Sequence, residues 1–299
     1  MKHNWSLAEF DYSLITPLSE DELSLGFDYF ADQVDNEIQN HLISELMARY
    51  ADVSKQLETK NEQLNKYSKQ LEELVQEKVK EISASQIATI HALVKAAESR
   101  DDDTGKHVER TSLFCKLIAD KMYEAGLYPD IIDEIYAESI SKASPLHDIG
   151  KVGIKDTILL KHGRLTPEEF EIMKSHVKIG YDMLASTREM YPGNVFLKIG
   201  TEIAIYHHEK WDGNGYMHGL CGDAIPLSAR IMALSDIYDA LRSRRVYKEP
   251  FSHDKTRTII IEGRGSIFDP AIVDIFTEHH LLFEEIYDGL SFADNERAE

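Results

Sequence analysis

His147-Asp148-Ile149-Gly150-Lys151 closes a run of apolar helical spacing that begins near Ile131. A histidine and an aspartate side by side offer one imidazole nitrogen and two carboxylate oxygens, and a carboxylate can bridge two cations. The same ligand types recur on either side: His107 upstream, and His176, the pair His207-His208 and Asp236 downstream. Taken singly, each has an ordinary explanation, because a lone histidine on a helix is more often a core or surface residue than a ligand. Their order, at expected helix ends and faces and followed by bases suited to phosphate, points to a dinuclear metal site. His91, His162, His218, His253, His279 and His280 fall in the ordinary class.

The elements that carry these residues read as helix after helix. Apolar residues at three- and four-residue spacing predict helices near 86–99, 107–125, 131–147, 167–186, 195–208, 227–241, 253–262 and 270–285. Thr166-Pro167-Glu168-Glu169 and Asp269-Pro270 each place a capping side chain before a proline suited to the first helical turn. His147-Asp148 and His207-His208 fall at helix ends. Neighbouring residues on a helix diverge by about 100°, so two adjacent ligands imply an end relaxed from ideal geometry. His176 is expected within a helix, and the apolar neighbours of Asp236 imply a buried carboxylate that needs a cation or several donors. The expected fold is all-α: a compact helical bundle with an amino-terminal helical and coiled-coil extension.

Upstream of the bundle the character changes. Ser19-Glu20-Asp21-Glu22 has the form of a capping box, and Phe27, Phe30, Val34, Ile38, Leu42 and Leu46 follow on one face. Beyond them comes a stretch without Gly or Pro, rich in Lys, Glu and Gln. Leu57, Leu64 and Leu71 fall seven apart there, with Tyr67 and Leu74 at the intermediate heptad positions, a short heptad seam that suits a parallel homodimer through residues 54–85. The expected division is an amino-terminal helical segment, 1–53, as a regulatory or partner-binding region for a signalling protein; a coiled-coil linker, 54–85; a phosphohydrolase domain, 86–290; and a tail, 291–299.

Composition narrows the function. The 299 residues carry a formal charge of -20, from 33 Lys and Arg against 53 Asp and Glu. Such a surface repels polyanions, which argues against a nucleic-acid-coating role. A small anionic ligand remains accommodated if metal ions make one pocket positive. Two cysteines, Cys115 and Cys221, do not make a disulfide framework. With no signal-peptide pattern and no run of 18 apolar residues, a cytoplasmic protein without a membrane partner is expected.

The motifs also resemble a known family. His147-Asp148-Ile149-Gly150-Lys151 with Trp211-Asp212-Gly213-Asn214-Gly215-Tyr216 is similar to the HD-GYP branch of the HD phosphohydrolases. The likeness continues through Leu165-Thr166-Pro167-Glu168-Glu169, Ile225-Pro226-Leu227, Ala229-Arg230-Ile231, Asp236-Ile237-Tyr238-Asp239-Ala240-Leu241 and Phe268-Asp269-Pro270. It implies an all-helical, metal-dependent phosphodiesterase that opens cyclic di-GMP to linear pGpG, with GMP as the alternative final product, through a metal-bridging hydroxide, with iron or manganese as the divalent metal. Carried over by position, His107, His147, Asp148 and Asp236 hold one metal, His176, His207 and His208 complete the second, and Asp148 bridges. Lys151, Tyr216, Arg245 and Lys248 are then the residues that meet substrate phosphate, with Asp148 and Lys151 catalytic. Asp103 stands where members with a third metal carry glutamate; it is shorter by one methylene, so two metals are expected. Met217 replaces the proline of the family's Gly-Tyr-Pro, which leaves the phenol of Tyr216 in place. Other readings are a hydrolase of another cyclic dinucleotide, a di-iron oxygenase, or a catalytically weak cyclic-dinucleotide sensor.

Overall fold

The computed structural model describes residues 36–98, 106–243 and 249–295, and every helix or longer regular element among them is helical. The α-helices are α1 (Asn36–Glu98), α2 (His107–Glu124), α3 (Glu134–Ala143), α4 (Asp156–Leu159), α5 (Pro167–Lys174), α6 (His176–Met190), α7 (Val195–Tyr206), α8 (Leu227–Arg242), α9 (His253–Glu262) and α10 (Pro270–Asn295). Two 3-10 segments, Ser144–Gly153 and Gly222–Ala224, stand between α3 and α4 and between α7 and α8. The capping box proposed at residues 19–22 lies outside the described residues. The chain divides into two compact units after Glu81.

In the first unit, α1 has neither Gly nor Pro to interrupt it, and none of its described side chains up to Glu81 is buried. Leu57, Leu64 and Leu71 are 66%, 65% and 61% exposed. Local pairs such as Gln56 with Asp52 (2.8 Å) and Lys78 with Glu81 (2.5 Å) line its surface. Such pairs each contribute only a few tenths of a kcal/mol, about 0.2–0.5.

The second unit is built around α8, which is buried almost all round from Leu227 to Ser235 and again at Tyr238 and Asp239. A helix apolar or buried on every side belongs at a bundle's centre. α2 faces it with Phe114, Cys115, Ile118, Ala119 and Met122, a stripe at helical period. α10 supplies Ile272, Val273, Phe276 and Phe283, and bends at His279 (φ −112°, ψ 16°). Phe114, Tyr238, Phe276 and Phe283 form an aromatic cluster with centroids 4.9 to 5.7 Å apart. A smaller cluster joins Val94 of α1 to Val108 and Leu146, with Ile90, Ile149, Leu184 and Phe196 around it.

Two expected helices are corrected in ways that shape the site. The helix predicted over 131–147 ends at Ala143, because Pro145 cannot donate to a carbonyl one turn back, and the chain tightens into the 3-10 segment. The helix predicted over 167–186 breaks at Ser175, whose amide bonds to Ile172 O (3.0 Å) and whose hydroxyl bonds to the same carbonyl (2.6 Å). His176 is therefore the first residue of α6 and not a mid-helix residue.

Candidate metal centre

The 3-10 segment carries His147 and Asp148 up against the start of α6. The approach is close: a Cβ on Gly150 would stand 1.9 Å from the His176 carbonyl oxygen and 2.5 Å from the Gly180 nitrogen. Only glycine allows the two backbones to pass, and the passage brings Asp148 and His176 together. His207 caps α7 and His208 follows in the turn, while Asp236 projects from α8 and His107 opens α2.

Three of the histidines are oriented in the same way. Nδ1 of His147 lies 2.9 Å from Ser144 O, that of His176 2.8 Å from Met173 O, and that of His207 2.8 Å from Ile203 O. A carbonyl only accepts, so each Nδ1 carries the hydrogen and each Nε2 presents its lone pair inward. His107 is held likewise by a carboxylate: its Nδ1 is 2.8 Å from Asp239 Oδ2. Asp239 is itself gripped by the guanidinium of Arg110, through Nε to Oδ1 and through Nη2 to Oδ2 at 2.9 Å.

The lone pairs converge. Nε2 of His107 stands 3.3 Å from Nε2 of His147 and 3.7 Å from Asp236 Oδ1. Asp148 turns one oxygen each way: Oδ2 is 3.2 Å from His147 Nε2, and Oδ1 is 3.2 Å from His176 Nε2 and 3.9 Å from His207 Nε2. Asp148 Oδ1, His176 Nε2 and His207 Nε2 are buried without a hydrogen-bond partner. Acceptors facing acceptors in a dry site repel unless a cation lies between them. Donor atoms within 4.8 Å of one another form two groups, Asp148-His176-His207-His208 and His107-His147-Asp236. The residues present therefore fit a pair of metal ions.

Charge in the centre follows from burial and neighbours. Burial drives the His207 imidazole well below its ordinary pKa and His208 down to about 4. Burial opposes ionisation of Asp148, but Lys151 and His147 outweigh it and hold its carboxyl well below the usual range. Burial likewise disfavours a charged His147, and the carboxylates of Asp148 and Asp236 reverse that and raise its pKa. Lys151 Nζ is 2.9 Å from Asp148 Oδ2. Tyr216 lies over His208 with centroids 4.7 Å apart at 29°, and burial pushes its phenol up, so it stays a hydroxyl donor. Its loop turns back tightly, since a Cβ on Gly215 would meet Lys210 N at 2.4 Å.

All seven proposed ligands, with Lys151 and Tyr216, thus lie in one place. Asp103, Arg245 and Lys248 lie outside the described residues. Asp236 departs from expectation in being half-buried, its side chain 21% exposed. The deeply buried carboxylate of that helix is Asp239, at 1%. Sequence reasoning gave Asp239 no role, since its partners His107 and Arg110 stand on another helix. Glu209, 3% exposed, was also missed; its Oε1 accepts from the His218 amide at 2.7 Å and so ties down the loop that carries Tyr216.

A family model described as an HD domain matches residues 111–272. The chain is 47% identical over 219 residues to a "Probable cyclic di-GMP phosphodiesterase" of Vibrio cholerae, covering 73% of this chain and 49% of that protein. It is 50% identical over 196 residues to a "Cyclic di-GMP phosphodiesterase" of the same organism (66% of this chain, 40% of that one). A third Vibrio cholerae protein, "3'3'-cGAMP-specific phosphodiesterase 2", is 40% identical over 190 residues (64% and 34%). The chain spans about half or less of the length of these relatives.

Proposed function

The chain belongs to the HD-domain family, in its HD-GYP branch, and from that premise we propose that it hydrolyses cyclic di-GMP to linear pGpG. The observation that carries the reading is the set of buried, partnerless acceptors on Asp148, His176 and His207. His107, His147, Asp148 and Asp236 would hold one divalent ion, and His176, His207 and His208 with Asp148 the other. Imidazole with carboxylate suits iron or manganese. When bound, such a pair supplies an acidified water and a sink for the charge that builds on phosphate oxygens.

The protein's own residues do the rest. Asp148 turns one oxygen toward His147 and the other toward His176 and His207, so it would reach both ions. Lys151, beside Asp148, donates to a phosphate oxygen and offsets charge in the transition state. Tyr216, its phenol pushed up by burial, donates its hydroxyl to the phosphate from over His208. Arg245 and Lys248 are assigned to the substrate's phosphates. Two ions are proposed, and Asp103 is the residue that a third would meet.

Incubating cyclic di-GMP with protein loaded anaerobically with manganese or ferrous iron, followed by chromatography, tests the proposal. The linear dinucleotide is the expected product; intact substrate beside two bound equivalents of metal would leave a sensor. His147→Ala should lose metal and turnover together, and retained turnover would remove it from the centre. The relative named for 3'3'-cGAMP supports a second substrate reading, the mixed guanine-adenine ring, which the same assay resolves. We assign the homodimer to residues 54–85, where Leu57, Leu64 and Leu71 are exposed at heptad spacing. A signalling partner for residues 1–53 completes the proposal.

A further inference from the structure

Helix α5 is out of character for this unit, because none of its residues is buried. A helix ordinarily keeps its place by burying an apolar stripe, yet Phe170 and Ile172 are 46% and 47% exposed. α5 meets the candidate centre through a ladder of rings. Phe170 stands edge-on to Tyr216, centroids 6.2 Å apart at 79°, and Tyr216 in turn lies on His208. The Lys174 ammonium sits 5.4 Å from the Phe170 centroid and 5.6 Å from that of Tyr216, with its side chain only 21% exposed. Its ion-pair partner at 2.5 Å, Glu171, is 70% exposed, and a pair of that kind is exchanged at little cost.

We propose that Phe170 and Lys174 form the subsite that receives a purine of the substrate and selects guanine, an inference that rests on the cyclic-dinucleotide reading above. Phe170 lies one ring beyond Tyr216 from the ligand cluster, close enough for one nucleotide to span both. An exposed aromatic face beside a phosphodiester site is a stacking platform, and every base has a π-face to lay on it. The Lys174 ammonium only donates. Guanine presents two acceptors on one edge, O6 and N7, whereas adenine replaces O6 with an amino donor. Phe170 therefore supplies affinity for either purine, and Lys174 supplies the preference.

Steady-state kinetics of the manganese-loaded full chain test this on cyclic di-GMP, the mixed guanine-adenine ring and p-nitrophenyl methyl phosphate, a diester without a purine. Phe170→Ala is expected to raise KM for cyclic di-GMP about tenfold, with a smaller change in kcat, and Phe170→Trp to restore it. Lys174→Gln is expected to reduce the advantage of cyclic di-GMP over the mixed ring about tenfold. A Phe170→Ala protein that matches wild type on cyclic di-GMP, or loses as much on the purine-free diester, overturns the subsite alone. Wild type that cleaves the purine-free diester but neither cyclic dinucleotide overturns the substrate reading and the subsite with it.

Discussion

Asp239 decides which nitrogen of His107 bears the proton, and it does so from beneath the ligands. Asp239→Asn should therefore lower metal affinity about 10–100-fold while His107 itself remains. Metal titration of the variant against wild type measures this. The same residue sets an acid limit. Burial works against its carboxylate, but Arg110 and His107 overcome that and depress its pKa. A depressed folded value means the contribution to stability is present above about pH 4, the unfolded value, and drains away as the pH falls. Acid unfolding of metal-free protein should show that slope, and Asp239→Asn should flatten it. Gly150→Ala tests the close passage: one methyl forced to within 1.9 Å of a carbonyl must push the 3-10 segment off α6, at about 1–3 kcal/mol. Denaturant unfolding gives the cost, and metal content should fall with it. At this scale the cluster was legible because the order in which its histidines and aspartates fall along the chain is telling. Asp239 was not, because its work depends on a distance between α2 and α8 that no local spacing encodes.

Among the elements, the existence of the helices was readable and their ends were not. α2, α8 and α9 begin where periodicity places them, at His107, Leu227 and His253. The runs across 131–147 and 167–186 kept their apolar period while the backbone changed its bonding at Pro145 and Ser175. Periodicity reports which face is buried and is blind to a switch from four-residue to three-residue bonds. Those two switches place Asp148 and His176 within reach. α5, lacking buried residues, leans on its capping box, in which Glu169 N donates to Thr166 Oγ1 (3.3 Å) and Thr166 N to Glu169 Oε2 (2.7 Å). Thr166→Ala should cost about 1 kcal/mol, seen as faster amide exchange confined to α5. Phe283→Ala, in the aromatic cluster, should cost about 3–5 kcal/mol in global unfolding.

For the whole molecule, the all-α class followed from sequence because helical spacing persists through long stretches and strand-like alternation does not. The unit boundary after Glu81 was harder to see, since α1 has no Gly or Pro to mark it. No helix among the described residues is long and apolar enough to cross a membrane. If residues 54–85 join two copies, Leu64→Lys with Leu71→Lys should shift the sedimenting species from dimer to monomer, and an unchanged mass would assign those leucines elsewhere. The partnerless acceptors at the centre bear on the entire chain, because an ion that binds only the native form stabilises it by about 2.7 kcal/mol at a hundred times its dissociation constant. Chelation should therefore lower the melting temperature as well as end turnover. In a cell starved of the ion, more of the chain would visit unfolded states and meet proteases. Its abundance would then register the supply of a nutrient metal, whatever signal arrives at the other end.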